Sequence, residues 1–199
     1  MNYKLASLFD ERKAAQTAAF FLLKATQRGA NITILKLMKL MYLAERSSYK
    51  EYGEPIIGDA LVSMPNGPVL SKTLDLINFG AQENLDGGWD SLIADRSGRD
   101  MILKPTATIK SENDLKELSE SDIEILQSIW DDFGNKSAFW LRDYTHDANN
   151  CPEWEDPDGS SVPIKLENLL GIIGFSDEEN HAILSRLNQR AWVASTLSA

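Results

Sequence analysis

The sequence predicts a mostly α fold, with about six helices around a buried central helix (33–52) and a small antiparallel β-sheet or hairpin. Three observations support this. Apolar residues recur at three- and four-residue intervals over several long runs, the spacing that lines one helix face. Ser, Thr or Asp stands just before most of those runs, where its side chain can accept a first-turn amide. Only the stretches 55–65 and 90–104 show the short, punctuated apolar pattern of strands.

The first helix is expected over 10–28, with Asp10 as cap, Ala14, Ala18, Phe21, Leu22 and Ala25 repeating at helical spacing, and Gly29 as stop. Its many alanines suit close packing against another helix. Thr33 caps the second, which runs to Tyr52 before Gly53. Ile34, Leu35, Leu37, Met38, Leu40, Met41, Tyr42, Leu43 and Ala44 cover nearly every face, so this helix is expected at the centre of the core. Lys36 and Lys39, three residues apart, break the apolar surface on one side.

Residues 55–65 read as an extended segment between Pro55 and Pro65. Asn66-Gly67-Pro68 reads as a turn leading into a helix, because Pro is tolerated in the first helical turn, and Leu70, Leu74 and Ile77 form its stripe. After a polar loop at 80–88, Ser91–Ala94 and Met101–Leu103 flank a polar turn and read as a hairpin. An isolated hairpin is marginal in water, so it is expected to pair with 56–63, completing the small sheet, or to pack on a helix.

Ser119–Phe133 is the clearest helix, with Ser119 and Asp122 as a capping pair, Leu118 stapled onto Ile123, and Ile123, Leu126, Trp130 and Phe133 facing the core. Asn135-Lys136-Ser137 leads into a short helix through Ala138, Leu141 and Tyr144. An acidic, Pro-containing loop fills 147–163. Helices near 165–173 and 177–194 follow, the second opened by Ser176 with Glu179 as a capping box.

Composition narrows the function. The chain has 199 residues, 43% of them hydrophobic, which suits one domain with a sizeable core. No stretch approaches a membrane span, Met1-Asn2-Tyr3-Lys4 opens no signal-peptide region, and the single cysteine, Cys151, allows no internal disulfide. A cytoplasmic location is therefore expected. The net charge of -10 argues against a general nucleic-acid binder. The charge is uneven: residues 1–50 carry nine Lys/Arg and three acids, and the remainder 11 and 27. Two halves that attract each other within one fold, or a basic face for an acidic partner, both account for this.

No phosphate-binding glycine loop and no nucleophile elbow occurs. His146, Asp147, Cys151 and Glu153 are the only clustered metal-ligand types, without zinc-site spacing, so no metal or cofactor is expected. Cys151 with His146 as base lacks a third orienting group, and His146 reads as a hydrogen-bonded structural residue. No enzyme activity is expected. Helices 119–133 and 137–145 have the outline of a helix-turn-helix, but Phe139, Trp140 and Asp143 on the second favour a packed αα-hairpin.

Lys36-Leu37-Met38-Lys39-Leu40-Met41-Tyr42-Leu43-Ala44-Glu45 resembles the K-L-x-K-L-x-Y-x-A signature of the Panacea domain of SocA-like antitoxins. Tyr52-Gly53-Glu54-Pro55-Ile56 resembles the family's Y-G-x-P turn, and Met64-Pro65-Asn66-Gly67-Pro68-Val69 its G-P-V element. Ser137-Ala138 through Thr145-His146, then Pro152 and Trp154, resembles the closing S-A…T-H…P-W pattern. The resemblance covers about residues 15–155 and is carried by the order and spacing of these motifs. It implies a domain over 1–155, with C-terminal helices at 156–199 packed on it.

The resemblance further implies an antitoxin that neutralises the toxin of a neighbouring gene by direct binding, either masking it or acting as an adaptor that delivers it to a protease. Many relatives sit in mobile elements and phage. A nucleic-acid-binding regulator using the basic N-terminal helices is the alternative, and an enzyme built around His146 a third. Among motif residues, Leu37, Leu40 and Met41 are expected in the core, and Gly67 and Pro68 at a turn. Lys36 and Lys39 need carboxylate or carbonyl partners, either within the acidic C-terminal half or on a binding partner. Phe139, Trp140 and Trp154 are candidate anchors for that partner, with Trp140 and Tyr144 stacked on an inward face and Glu153, Glu155, Asp156 and Asp158 forming an acidic rim.

Overall fold

Helix α1, Glu11–Gln27, begins where Asp10 accepts the Lys13 amide. The computed structural model describes residues 8–82, 85–94 and 98–197. Ala14, Ala15, Ala18 and Ala19 are fully buried, and their small side chains bring α1 close to its neighbours. After a two-residue strand β1, Ile32–Thr33, helix α2 spans Ile34–Tyr52. Thr33 caps α2 through the Lys36 amide, and Gly53 ends it in the left-handed region. Every residue from Leu37 to Glu45 is buried, because α1, the helices Glu120–Phe133 and Ala138–His146 and the strand Gly67–Leu70 surround the helix. The central helix is thus the one the apolar pattern indicates.

The sheet differs from the expected one. Strands β2, Leu61–Met64, and β3, Gly67–Leu70, form a hairpin across Pro65-Asn66, and β5, Val162–Pro163, adds to the other side of β2. Residues 56–58 join no strand, because their amides are already taken: Ile56, Ile57 and Gly58 all donate to the Glu45 carboxylate. Pro68 opens no helix. It lies in β3, at the edge of the three-stranded sheet, where its missing N–H costs no ladder bond.

Helix α3, Ser71–Phe79, starts later and is capped from across the chain: Asp59 accepts the amides of Lys72 and Thr73 and the Thr73 hydroxyl. The 90–104 region does not pair with 56–63. Trp89–Leu92 forms a single helical turn, α4, and β4, Asp100–Met101, pairs with β1; among the described residues the two arms are joined by a bridge from Ile93 to Leu103 and by the Lys104 ammonium on the Asp90 carbonyl. The turn residues Asp95, Arg96 and Ser97 lie outside the described residues.

A short 3₁₀ turn at Glu112–Asp114 precedes α5, Glu120–Phe133, which has the full Ser119/Asp122 capping box. Its core face is rotated from the expected one. Ile125, Leu126, Ile129 and Trp130 are buried, while Ile123 and Phe133 are half-buried. Ser137 caps α6, Ala138–His146, and α5 and α6 both pack against α2, with Phe133 of α5 against Trp140 and Tyr144 of α6. Helices α7, Leu166–Ile172, and α8, Asp177–Leu197, close the chain, with the Ser176/Glu179 capping box in place. Leu169, Leu170, Ile183 and Leu187 join the core, and Arg186 donates to the Gly53 carbonyl at the end of α2. Three cations from the basic N-terminal part pair with later acids: Lys13 with Asp122, Lys24 with Glu112 and Arg46 with Glu153. Among the described residues no helix is long and apolar enough to cross a membrane.

Candidate functional site

Helical spacing puts Lys36, Lys39, Tyr42 and Arg46 in one stripe along α2. Together they bind three later parts of the chain. The Lys36 ammonium donates to the Gly134 carbonyl at 2.7 Å, at the end of α5. Lys39 donates to the Pro68 carbonyl at 2.7 Å, on the hairpin. The Tyr42 hydroxyl and the Arg46 Nε both donate to Glu153 Oε1 at 2.7 Å, and Arg46 Nη2 reaches Oε2 at 3.3 Å. The stripe therefore fastens three separate segments to the central helix. Both lysines are satisfied within the fold, by backbone carbonyls of the acidic later part of the chain and not by its carboxylates. Leu37 and Leu40, on the other sides of α2, are fully buried.

Lys39 is completely buried with a neutral acceptor, and burial brings its pKa down to about 7. Burial, reinforced by the neighbouring Glu153, raises that of Tyr42 and keeps its hydroxyl a donor. Cys151 is buried beside this network, and its thiol is pushed up to about 12 by burial, so it stays protonated and unreactive at neutral pH.

Gly67 is required by two independent constraints. Its φ is +93°, and a Cβ there would lie 2.7 Å from both Lys39 Nζ and Thr145 Oγ1. Thr145 is buried and donates to the Arg142 carbonyl. His146 stacks on Trp154 with ring centroids 4.1 Å apart and planes 21° apart, and Trp154 Nε1 donates to the Met64 carbonyl at 3.0 Å. The expected hydrogen-bonded histidine is thus held chiefly by stacking: its Nε2 is buried with no partner among the described residues, and burial, followed by the Lys39 charge, lowers its pKa. Gly53 accepts φ +63° at the end of α2, where a Cβ would meet Ile183 at 2.9 Å, and Pro55 follows it half-buried.

The candidate anchors separate into two groups. Phe139 and Trp140 are 60% and 42% exposed. Trp140 does stack on Tyr144, at 5.2 Å and 19°, but on a half-exposed face and not an inward one. Arg142 lies over Phe139 and Lys136 over Trp140. Trp154 is half-buried under the hairpin. Glu153 forms no rim, because its carboxylate is enclosed by Tyr42 and Arg46; Glu155, Asp156 and Asp158 are exposed. Arg46 is not among the expected site residues, although it continues the Lys36–Lys39–Tyr42 stripe by one further turn; Thr145, expected only as part of the T-H motif, is the buried neighbour of Gly67. Among the described residues no group of three or more His, Cys, Asp or Glu side chains is placed to hold a metal ion.

The family model described as antitoxin SocA-like, Panacea domain, matches residues 37–155, more than half of the chain. No curated protein and no solved structure matches it. The matched span begins within α2, so α1, which the motif resemblance had included, lies before it.

Proposed function

The chain belongs to the family of SocA-like antitoxins with a Panacea domain, and from that premise we propose that it neutralises a protein toxin encoded beside it by binding that toxin directly. The observation that carries the proposal is the family match over residues 37–155. Physical features agree with it. The residues of the matched motifs are spent on building the scaffold: Lys39, Tyr42, Gly67 and Trp154 fasten the hairpin and the 151–154 segment to α2, and Cys151 is held as a thiol. That is the design of a rigid binding module, with large aromatic side chains, Phe139 and Trp140, left at its surface.

A protein partner is favoured over a nucleic acid. Lys13, Lys24 and Arg46 are paired with acids, and Lys36 and Lys39 with carbonyls, so much of the basic surplus of residues 1–50 is consumed inside the fold. The test is co-expression with the product of the adjacent open reading frame. Toxicity of that product alone, relieved by this chain and accompanied by co-purification, is the expected result. No complex and no rescue would remove the antitoxin reading. Inhibition of the purified toxin without any protease would separate occlusion from delivery for degradation.

A further inference from the structure

The first turn of α2, the β2–β3 hairpin and the start of α6 enclose an open groove of about 510 Å³, within the range of roughly 300–1,000 Å³ typical of ligand sites. Its walls are apolar, formed chiefly by Leu35 and Met38 of α2, Met64 and Val69 of the hairpin, and Phe139 of α6. These walls are fixed in advance. Lys39 ties the hairpin to α2 through Pro68, Trp154 holds the Met64 carbonyl, and Lys36 holds Gly134 just before α6. A partner would therefore meet a surface that loses little freedom on binding.

Arg99 is the only charged side chain that lines the groove among the described residues. It is exposed, and its guanidinium has no carboxylate partner among them, whereas Arg142, over the Phe139 ring, is already paired with Asp143 at 2.7 Å. Lys136, over Trp140 on the same end of α6, also has no carboxylate partner among the described residues. In a chain of net charge -10 an acidic partner is disfavoured over most of the surface. An unpaired guanidinium at the edge of an apolar groove gives such a partner one register.

We infer that this groove seats an apolar segment of the toxin that carries a carboxylate, with its apolar side chains on Leu35, Val69 and Phe139 and the carboxylate on Arg99. The inference rests on the antitoxin reading and adds to it where and by what chemistry the toxin binds.

The test uses the full chain and the product of the adjacent open reading frame as the probe. Arg99→Glu and Phe139→Ala alter exposed side chains, so thermal melting should stay at the wild-type value. Each should weaken the complex by about tenfold or more and reduce rescue of growth, while Trp192→Ala, exposed on α8, should not. Reversal to Lys of one acidic toxin residue should restore binding to Arg99→Glu. Wild-type affinity in both groove variants, with the complex intact, would overturn the groove assignment and leave the antitoxin reading standing. Failure of the wild-type chain to bind or rescue would overturn both. A wild-type dimer in size-exclusion chromatography that Phe139→Ala converts to monomer would assign the groove to a second copy of this chain and overturn the inference.

Discussion

The Lys39 ammonium lies 2.7 Å from the Pro68 carbonyl oxygen, on a side chain with no exposed surface. A cation in that position keeps one neutral acceptor where water offered several, so its charge is costly. Pro68 in turn is held in β3, opposite Ser63, with no amide to bond elsewhere. The pair makes the hairpin part of the central helix's own packing, and it sets a pH dependence.

The folded chain binds the Lys39 proton with a pKa of about 7, against an ordinary value of 10.5. Between those values the unfolded chain holds more protons, so this group raises stability as pH climbs from about 7. The gain is at most about 1.4 kcal/mol per pH unit. Urea denaturation between pH 7 and 8.5 should show this rise in the wild type and its loss in Lys39→Met. Parallel curves for the two proteins would show that Lys39 titrates normally.

Gly67→Ala should destabilise by about 2–4 kcal/mol, from backbone strain and from the collision with Lys39 and Thr145. Gly159→Ala is the useful comparison, since that glycine also has positive φ but nothing within 4 Å of a Cβ. If both substitutions cost the same, packing at Gly67 contributes nothing beyond its backbone angle.

Glu153→Ala leaves the Tyr42 hydroxyl and the Arg46 guanidinium without their acceptor, and should cost about 3–5 kcal/mol. Tyr42→Phe alone should cost about 1 kcal/mol. The double variant should then be no worse than Glu153→Ala, because the Tyr42–Glu153 bond that Tyr42→Phe removes is already lost in it. Simple additivity in chemical denaturation would mean that the two side chains act independently.

Leu40→Ala and Met41→Ala, both fully buried on α2, should each cost about 2–5 kcal/mol. A loss under about 1 kcal/mol in either would mean that the site collapses around the missing atoms and that α2 is less central than its burial indicates.

Most helix starts are legible in the sequence by itself, but α3, which begins at Ser71 and not at Pro68, and the α4 turn, expected as a strand, are not. Asp10, Thr33, Ser119, Ser137 and Ser176 each cap the run that follows within three residues, and α2 declares its central place through apolar residues on every face. Such signals are local, so one window of sequence contains both the cause and the effect. Tertiary structure decided everything that depends on partners far along the chain. Residues 56–58 have the composition of a strand, yet Glu45 takes their amides. Lys36 and Lys39 need carboxylate or carbonyl partners by their type, and only the packed chain shows that these are the carbonyls of Gly134 and Pro68. Glu153 reads as a surface acid, yet Tyr42 and Arg46, more than 100 residues earlier, enclose it. A side chain's type fixes what it can bond; only the packed chain decides which of the competing acceptors reaches it first.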